Sequence, residues 1–195
     1  IKIAEDGEIL AKGPNIMIGY YNNDEATKES IDENNWFYTG DIGEFDSDGY
    51  LKITDRKKNL IVTSAGKNIA PAPLENSMAT SIYIEQVLAI GDKRNFISAL
   101  IAPNFENLSL HLSKLNISCS SDEEMANHPE TIKLLNSEVE NCMSEFAKYE
   151  QVKKIEVLPR LLTIEKGELT PKMSIVRKVV ELNFNQLIER IYSDS

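Results

Sequence analysis

The first thirteen positions, IKIAEDGEILAKG, alternate apolar and polar residues on either side of a charged Asp-Gly pair. Period-two alternation broken at Asp-Gly predicts a β-hairpin, and because a two-stranded ribbon is marginal alone, it requires neighbouring strands. NIMIGYYNN reads as a further strand, and WFYTGDIGEF and GYLKIT as two more. Between them DEATKESIDENN begins with an acidic turn, so a short helix capped at Asn23 or Asp24 is expected there. Tyr20, Tyr21, Trp36, Phe37, Tyr38, Phe45 and Tyr50 all fall in this block and read as the packing of a small β-subdomain.

The pattern changes after the basic run DRKK. LIVT reads as a buried strand, a glycine turn follows, and Pro71 and Pro73 lead into a helix over about residues 74 to 83, since a missing N–H costs nothing in a first helical turn. VLAIGD and FISALIAPN are near-continuous apolar runs of the kind found in strands buried on both faces. NFENLSLHLSKLN predicts a helix, and the polar stretch NISCSSDEEMANHPE an inserted surface segment. From Pro129 onward, Ile132, Leu135, Val139, Met143 and Phe146 recur at three- and four-residue steps and predict an amphipathic helix. QVKKIEVLP is another strand and LTIEKGELTPKM a hairpin-like loop. IVRKVVELNFNQLIERIY closes as one helix with the stripe Val176, Val179, Val180, Phe184, Leu187, Ile188 and Ile191. No internal repeat is present. The fold class is α+β for residues 59–195, with residues 1–54 as the β-rich edge of another domain and a boundary at residues 55–58.

At 195 residues the chain has room for one core, or for one domain and part of a second. Its opening at Ile1, directly in strand text, reads as a position inside a longer protein, whose absent part would leave apolar surface exposed on residues 1–54. A formal net charge of −10 opposes a sequence-independent grip on phosphate backbones and argues against nucleic acid as a partner. No apolar run approaches the roughly 18–20 residues of a membrane span. Cys119 and Cys142 have no metal-ligand spacing and no signal peptide is visible, so a reducing cytoplasm is the expected location. His111 and His128 stand without a Cys or carboxylate cluster and read as surface or helix-edge histidines, and no metal site is expected.

The candidate chemistry lies in WFYTGDIGEFDSDGYLKITDRKKN, where Asp55-Arg-Lys-Lys follows Asp41 by fourteen positions. An aspartate presented from a tight glycine turn can accept two hydrogen bonds from vicinal ribose hydroxyls, and an arginine downstream on the same hairpin can reach the sugar edge or a phosphate. Asp41 and Arg56 are therefore the candidate nucleotide-binding pair. The same residues also fit a plain hairpin turn followed by a solvated basic patch.

Taken together, GEILAKGPNIMIGYYNNDEAT, FYTGDIGEFDSDGYLKITDRKKNLIVTSAGKNIAPAPLEN and GELTPKMSIVRKVV resemble the C-terminal part of AMP-forming acyl-CoA synthetases, and among them the long-chain fatty-acid CoA ligases. The acidic stretch around DEEMANHPE resembles the long-chain branch as well. The resemblance implies a small mobile C-terminal domain of an adenylate-forming enzyme, with residues 1–54 as the edge of the large adenylation domain. It implies a two-step reaction in which a fatty acid attacks ATP to give acyl-AMP and pyrophosphate, and the thiol of CoA then displaces AMP. In that picture Asp41 binds ribose, Ile53 lines the nucleotide and Arg56 contacts ribose or phosphate. Asp55 is the hinge about which the small domain turns between the two steps, because a few linker residues can absorb the backbone change. Ser64-Ala65-Gly66-Lys67-Asn68 resembles the loop that meets CoA, Gly66 allowing close backbone approach and Lys67 offering a point charge to phosphate. Many relatives carry the basic residue one place later, where this chain has Asn68. Mg2+ would arrive bound to ATP through the N-terminal domain in cis, and the phosphate loop also lies upstream, so this segment alone is expected to be inactive. Association of the intact enzyme with a membrane surface is left open.

One departure matters most. Aligned so that Arg177 matches the family's downstream basic residue, GELTPKMSIVRK puts Ser174 where the adenylation lysine is expected, and the nearest lysine is Lys172. Three readings stand: Lys172 substitutes after a shift of the loop, the thioester-forming step alone survives well, or another cation serves adenylation. Beyond the long-chain ligase, two further functions fit: an adenylating ligase for an aryl, medium-chain or carrier-bound acid, and a noncatalytic interaction domain of a decayed enzyme.

Overall fold

The computed structural model describes residues 1–193; Asp194 and Ser195, the end of the segment assigned to the small domain, lie outside the described residues. The chain divides into two compact units, Ile1–Leu60 and Ile61–Ser195.

The first unit is a four-stranded antiparallel sheet in the order of the chain: β1 (Lys2–Ile3), β2 (Glu8–Ala11), β3 (Phe37–Phe45) and β4 (Leu51–Arg56). The Asp-Gly pair makes the first hairpin as expected, with Gly7 at φ +86° and its N–H on the carbonyl of Ala4 at 3.0 Å. Helix α1 (Asp24–Ser30) is capped by Asn23, whose Oδ1 accepts from the N–H of Ala26. Two expectations fail here. NIMIGYYNN is not a strand but a chain of turns, and of the seven aromatics Tyr20, Tyr21, Tyr38, Phe45 and Tyr50 are exposed rather than packed. The core of this unit is instead aliphatic, Ile9, Leu10 and Ile42.

Both β3 ladders are irregular, and the irregularities decide which side chains share a face. Between the pairs Glu8↔Ile42 and Leu10↔Tyr38, Ile9 alone faces Thr39, Gly40 and Asp41, so β3 carries two extra residues. YTGD is therefore a bulge inside a continuous strand, not a hairpin turn, and Gly40 at φ +70° supplies the left-handed backbone it needs. On the other side, Ile42↔Asp55 is followed by Gly43↔Ile53, which leaves Thr54 as an extra residue of β4. Residues three apart normally point to opposite sides of a sheet, and this bulge puts Ile53 and Arg56 on the same side.

The second unit opens with a two-stranded ribbon, β5 (Ile61–Val62) and β6 (Asn68–Ile69), so LIVT is a shorter strand than its apolar run implied. A mixed three-stranded sheet follows, β7 (Ile84–Ile90), β8 (Ile97–Pro103) and β9 (Val152–Val157), antiparallel between β7 and β8 and parallel between β8 and β9. Every residue of β8 is buried, and alternate residues serve different cores. Val87, Ala89, Ile97, Ala99 and Ile101 join a cluster with Leu74 and Met78 of α2 (Pro71–Met78) and Leu135 and Val139 of α5 (Pro129–Cys142). Leu88, Ile90, Leu100 and Ala102 join another with Val180 of α6 (Arg177–Asn183) and Ile188 and Ile191 of α7 (Asn185–Ser193). Helices on both faces are what the two apolar runs required.

Helix boundaries differ from the sequence expectation in four places. Helix α2 begins at Pro71, its fixed φ suiting the first position, and ends at Met78 where Ala79, Thr80 and Ser81 turn back onto the last carbonyls. The crossover from β8 to β9 carries α3 (Phe105–Lys114), as expected, and then α4 (Asp122–Asn127) inside the supposed surface insertion. Ser121 caps that helix by accepting from the N–H of Glu124, whose carboxylate in turn accepts from the N–H of Ser120. Helix α5 stops at Cys142, leaving Phe146 beyond its end, and Ile132 of its stripe is exposed. The closing helix is two helices, broken at Phe184, whose φ of −111° and ψ of 20° are not helical.

Gly43 carries a testable consequence. A Cβ there would stand 2.5 Å from the carbonyl oxygen of Lys52 and 2.7 Å from Cδ1 of Ile9, and the first is backbone that cannot step aside. Gly43→Ala is expected to destabilise the first unit by about 1–3 kcal/mol. Trp36, the chain's one tryptophan, lies in this unit, and its fluorescence in a urea titration will report an earlier midpoint.

Candidate functional site

The sheet of the first unit presents Asp41, Arg56 and Ile53 side by side on one face. Asp41 and Arg56 are direct cross-strand partners, and Nε of Arg56 lies 2.9 Å from Oδ1 of Asp41. Among the described residues the terminal guanidinium nitrogens of Arg56 have no acceptor, and its side chain is 60% exposed. Ile53 is 61% exposed beside them, an apolar side chain left uncovered next to an ion pair. The face therefore offers carboxylate lone pairs, a fork of donors and an apolar platform, which together match a ribose diol, an anion and a flat base. Ile42 and Asp55 point to the opposite, buried side. Asp55 accepts from the N–H of Arg56 at 2.6 Å and from Nδ2 of Asn59 at 3.1 Å, and so bonds to both ends of the 3-10 turn Lys57–Asn59 that ends the unit.

The bulge that carries Asp41 is held from below. Glu8 is buried, and its Oε1 accepts from the N–H of Gly40 at 2.9 Å while its Oε2 meets Nζ of Lys57 at 2.8 Å. Thr39 Oγ1 donates to the carbonyl of Ile9 at 2.7 Å and accepts from the N–H of Asp41 at 3.1 Å. Glu8, Lys57 and Thr39 were not singled out from the sequence, because their partners are set by a register that local pattern does not reveal.

In the second unit Gly66 and Lys67 lie in the loop between β5 and β6, and Asn68 begins β6. Gly66 has φ +74° and its N–H bonds to the carbonyl of Thr63 at 2.9 Å, and open space lies where a Cβ would project. Lys67 places Nζ 5.6 Å from the ring centre of Tyr149, and Asn68 is exposed in the ribbon opposite Val62. Ser64 anchors the loop through its N–H on the carbonyl of Arg94 and its hydroxyl on Asn95.

Lys172 and Ser174 belong to a single tight turn closed by the bridge between Leu169 and Ile175. The N–H of Met173 bonds to the carbonyl of Thr170 at 2.8 Å, and the N–H of Thr170 to the carbonyl of Ser174 at 2.9 Å, with Met173 at φ +62°. This is a three-residue hairpin loop with its left-handed position filled by methionine. Lys172 stands exposed at the tip, and Ser174 at the base. Arg177, used to align the motif, is a structural rivet: it pairs with Glu75 of α2 at 2.7 Å and also donates to the carbonyl of Ala89.

Beneath the turn lies the buried carboxylate of Glu168. It accepts from both terminal nitrogens of Arg160 at 2.7 and 2.8 Å, from Nδ2 of Asn183 at 2.9 Å and from the N–H of Thr163 at 3.1 Å. The guanidinium of Arg160 and these donors outweigh burial and hold the carboxyl well below its usual range, at about 2. No group of three His, Cys, Asp or Glu side chains able to hold a metal exists among the described residues, and no helix there is long and apolar enough to cross a membrane.

The family model for the AMP-binding enzyme C-terminal domain matches residues 58–195. The chain belongs to that family. Its curated relatives include proteins named as long-chain fatty-acid CoA ligases. FadD15 of Mycobacterium tuberculosis is 39% identical over an alignment of 196 positions that covers 99% of this chain and 32% of that protein. Human long-chain fatty-acid CoA ligase 1 is 34% identical over 190 residues, 96% of this chain and 27% of that one. The chain thus spans 32% and 27% of the length of these two relatives. Among solved structures, the A domain of carboxylic acid reductase from Segniliparus rugosus, in complex with AMP and a co-purified carboxylic acid, superimposes with a TM-score of 0.72 at 25% identity over 96% of this chain and 28% of that one. O-succinylbenzoate coenzyme A synthetase from Bacillus subtilis, with AMP, matches with a TM-score of 0.55 at 26% identity over 88% of this chain and 29% of that one. Family and fold are those of the adenylate-forming enzymes.

The clamp on Glu168 predicts a pH dependence for the stability of the second unit. A carboxyl whose folded pKa is depressed adds stability that is complete above its unfolded value of 4.5 and is lost as pH falls toward about 2. Glu168→Gln is expected to cost about 3 kcal/mol near neutral pH, from the size of that shift. The gap between wild-type and variant urea midpoints, followed by circular dichroism, will narrow between pH 4.5 and 2; a gap constant over that window would contradict the assignment.

Proposed function

We propose that this chain is the C-terminal portion of an ATP-dependent long-chain fatty-acid CoA ligase, in which fatty acid and ATP give acyl-AMP and pyrophosphate and CoA then gives acyl-CoA and AMP. The observation that carries the reading is the Asp41–Arg56 pair beside exposed Ile53, in a chain that matches a named long-chain ligase along 99% of its length.

Each candidate residue has a stated task. Asp41 keeps lone pairs beyond its contact with Arg56 and accepts from the ribose hydroxyls of ATP, while the outer guanidinium nitrogens of Arg56 meet the sugar edge or a phosphate oxygen. Ile53 gives an apolar surface to the nucleotide. Lys172, free at the tip of its turn, brings an ammonium to the oxygens that gain charge as acyl-AMP forms. Gly66 and Lys67 serve the second half-reaction, the open space at Gly66 admitting the pantetheine arm and Lys67 facing a phosphate of CoA. Asp55 is the point about which the C-terminal domain turns between the steps. Magnesium enters as the counter-ion of the ATP phosphates, with no metal-holding group of three His, Cys, Asp or Glu side chains among the described residues. The chain by itself is expected to show no turnover with ATP, CoA and palmitate.

A second reading changes the acid. The neighbouring solved structures include enzymes named for other carboxylic acids, so a ligase of the same chemistry acting on an aryl or shorter acid fits the same residues. A third, loss of catalysis, rests on Ser174 at the expected lysine position.

The test is carried out on the full-length ligase, assaying ATP–pyrophosphate exchange with palmitate and thioester formation from supplied palmitoyl-AMP. Lys172→Ala is expected to lose exchange by about a hundredfold while keeping thioester formation, since removing one charged transition-state contact costs about 3 kcal/mol. Retention of both activities would remove Lys172 from the mechanism, and absence of exchange in the wild type would favour the decayed enzyme. Asp41→Asn is expected to raise KM for ATP about tenfold or more, as loss of a hydrogen bond to a charged group predicts. Preference for a short or aromatic acid over palmitate would select the second reading.

A further inference from the structure

Asp41 sits on backbone that a plain ladder would not hold. Its bulge breaks the pairing between β2 and β3 over three residues, and Gly40 in its left-handed conformation has open space where a Cβ would project. A glycine so placed is mobile unless its N–H is tied down. Here the tie is a side chain from the neighbouring strand, the buried carboxylate of Glu8, 2.9 Å from the N–H of Gly40. A carboxylate buried on one side of a sheet needs a counter-charge, and Lys57 provides it, bridging Glu8 at 2.8 Å and Asp6 at 2.7 Å. These contacts hold the carboxyl of Asp6 below its ordinary value and the ammonium of Lys57 above its own, both chiefly through their mutual hydrogen bond.

We propose that Glu8 is a positioning residue for the nucleotide: by holding the N–H of Gly40 it fixes the bulge that aims Asp41 at the ribose hydroxyls, with Thr39 Oγ1 as the second tie of the same bulge. The inference rests on the reading of Asp41 as the ribose acceptor. Glu8 touches no ligand, since it lies buried beneath the strand, and it acts on binding only through the placement of Asp41. Lys57 lies two residues beyond Asp55, so the same carboxylate also ties down the start of the turn that ends the unit.

The full-length ligase is assayed with ATP and with 2′-deoxy-ATP, in Glu8→Ala, Glu8→Gln, Thr39→Val, Asp41→Asn and the Glu8→Ala/Asp41→Asn pair. Glu8→Ala is expected to raise KM for ATP about tenfold with a smaller change in kcat, and to lower the preference for ATP over 2′-deoxy-ATP to that of Asp41→Asn. The double variant will then bind ATP no worse than Asp41→Asn alone, because the two residues act through one contact. Glu8→Gln keeps an acceptor for Gly40 and will retain most of the preference. Should Glu8→Ala fail to fold, Thr39→Val carries the test, and a reduced preference for ATP is again expected. Equal and additive losses for both nucleotides, or an unchanged preference in the folded variants, would overturn the proposal. If Asp41→Asn itself leaves the preference intact, the ribose assignment fails and this inference falls with it, whereas an effect in Asp41→Asn without one in Glu8→Ala or Thr39→Val overturns the positioning role alone.

Discussion

A carboxylate taken out of water must be given a cation or N–H donors, and among the described residues Glu8 and Glu168 meet this requirement under segments that carry candidate chemistry. Glu8 collects Lys57 and the N–H of Gly40; Glu168 collects Arg160, Asn183 and the N–H of Thr163. Both segments above them carry a residue in left-handed backbone. One is a bulge with a left-handed glycine, the other a three-residue loop with a left-handed methionine. A buried ion pair is weak evidence for net stability, because an apolar replacement is often as stable, but it fixes orientation in a way that apolar packing does not. In each unit the cost of burying a charge falls where precision of a loop would matter to a reaction.

The register of β3 shows why orientation needed such a device. A regular antiparallel sheet would have put Ile53 and Arg56 on opposite faces, and Thr39-Gly-Asp would have remained within the ladder. Two bulges alter both outcomes, and their cost is visible in the requirement for glycine at 43, where the carbonyl of Lys52 leaves no space for a side chain. Bulges are non-local, since each depends on what the partner strand does. The pattern of residues 37–56 therefore revealed two strands and a candidate Asp–Arg pair, yet not that the YTGD segment lies in mid-strand or that Glu8 supports it.

The same distinction separates what was legible from what was not in the second unit. The continuous apolar runs at β7 and β8 told correctly of burial on two faces, because period and burial are properties of the strand itself. Helix α4 went unread although Ser121 and Glu124 form a capping signature, since its six residues hold only Met125 and Ala126 as apolar positions, too few to form a stripe. The break at Phe184 also lay hidden, because the apolar stripe continues through it and both helices face one cluster. Exposed aromatics in the first unit misled in the opposite direction: aromatic residues usually pack, and the aliphatic core here is small.

The offset between Ser174 and Lys172 takes on a physical meaning once the turn is known. Ser174 lies at the base of a closed hairpin, its backbone held by Thr170, so a side chain there has a fixed origin, whereas Lys172 lies at the tip. Two residues of a tight turn separate their Cα atoms by roughly 5–7 Å, and the four-carbon stem of a lysine covers a similar distance. A lysine moved from the base of the loop to its tip can thus bring its ammonium back to the same region if the turn is held rigidly. Rigidity is what the Glu168 clamp supplies: its own carbonyl accepts from the N–H of Val176 while its carboxylate fixes Arg160 and Asn183, so both limbs of the hairpin are tied to one buried group. On the proposed function, Ser at the base is then a change the fold can absorb, with Lys172 as the candidate cation of the same turn.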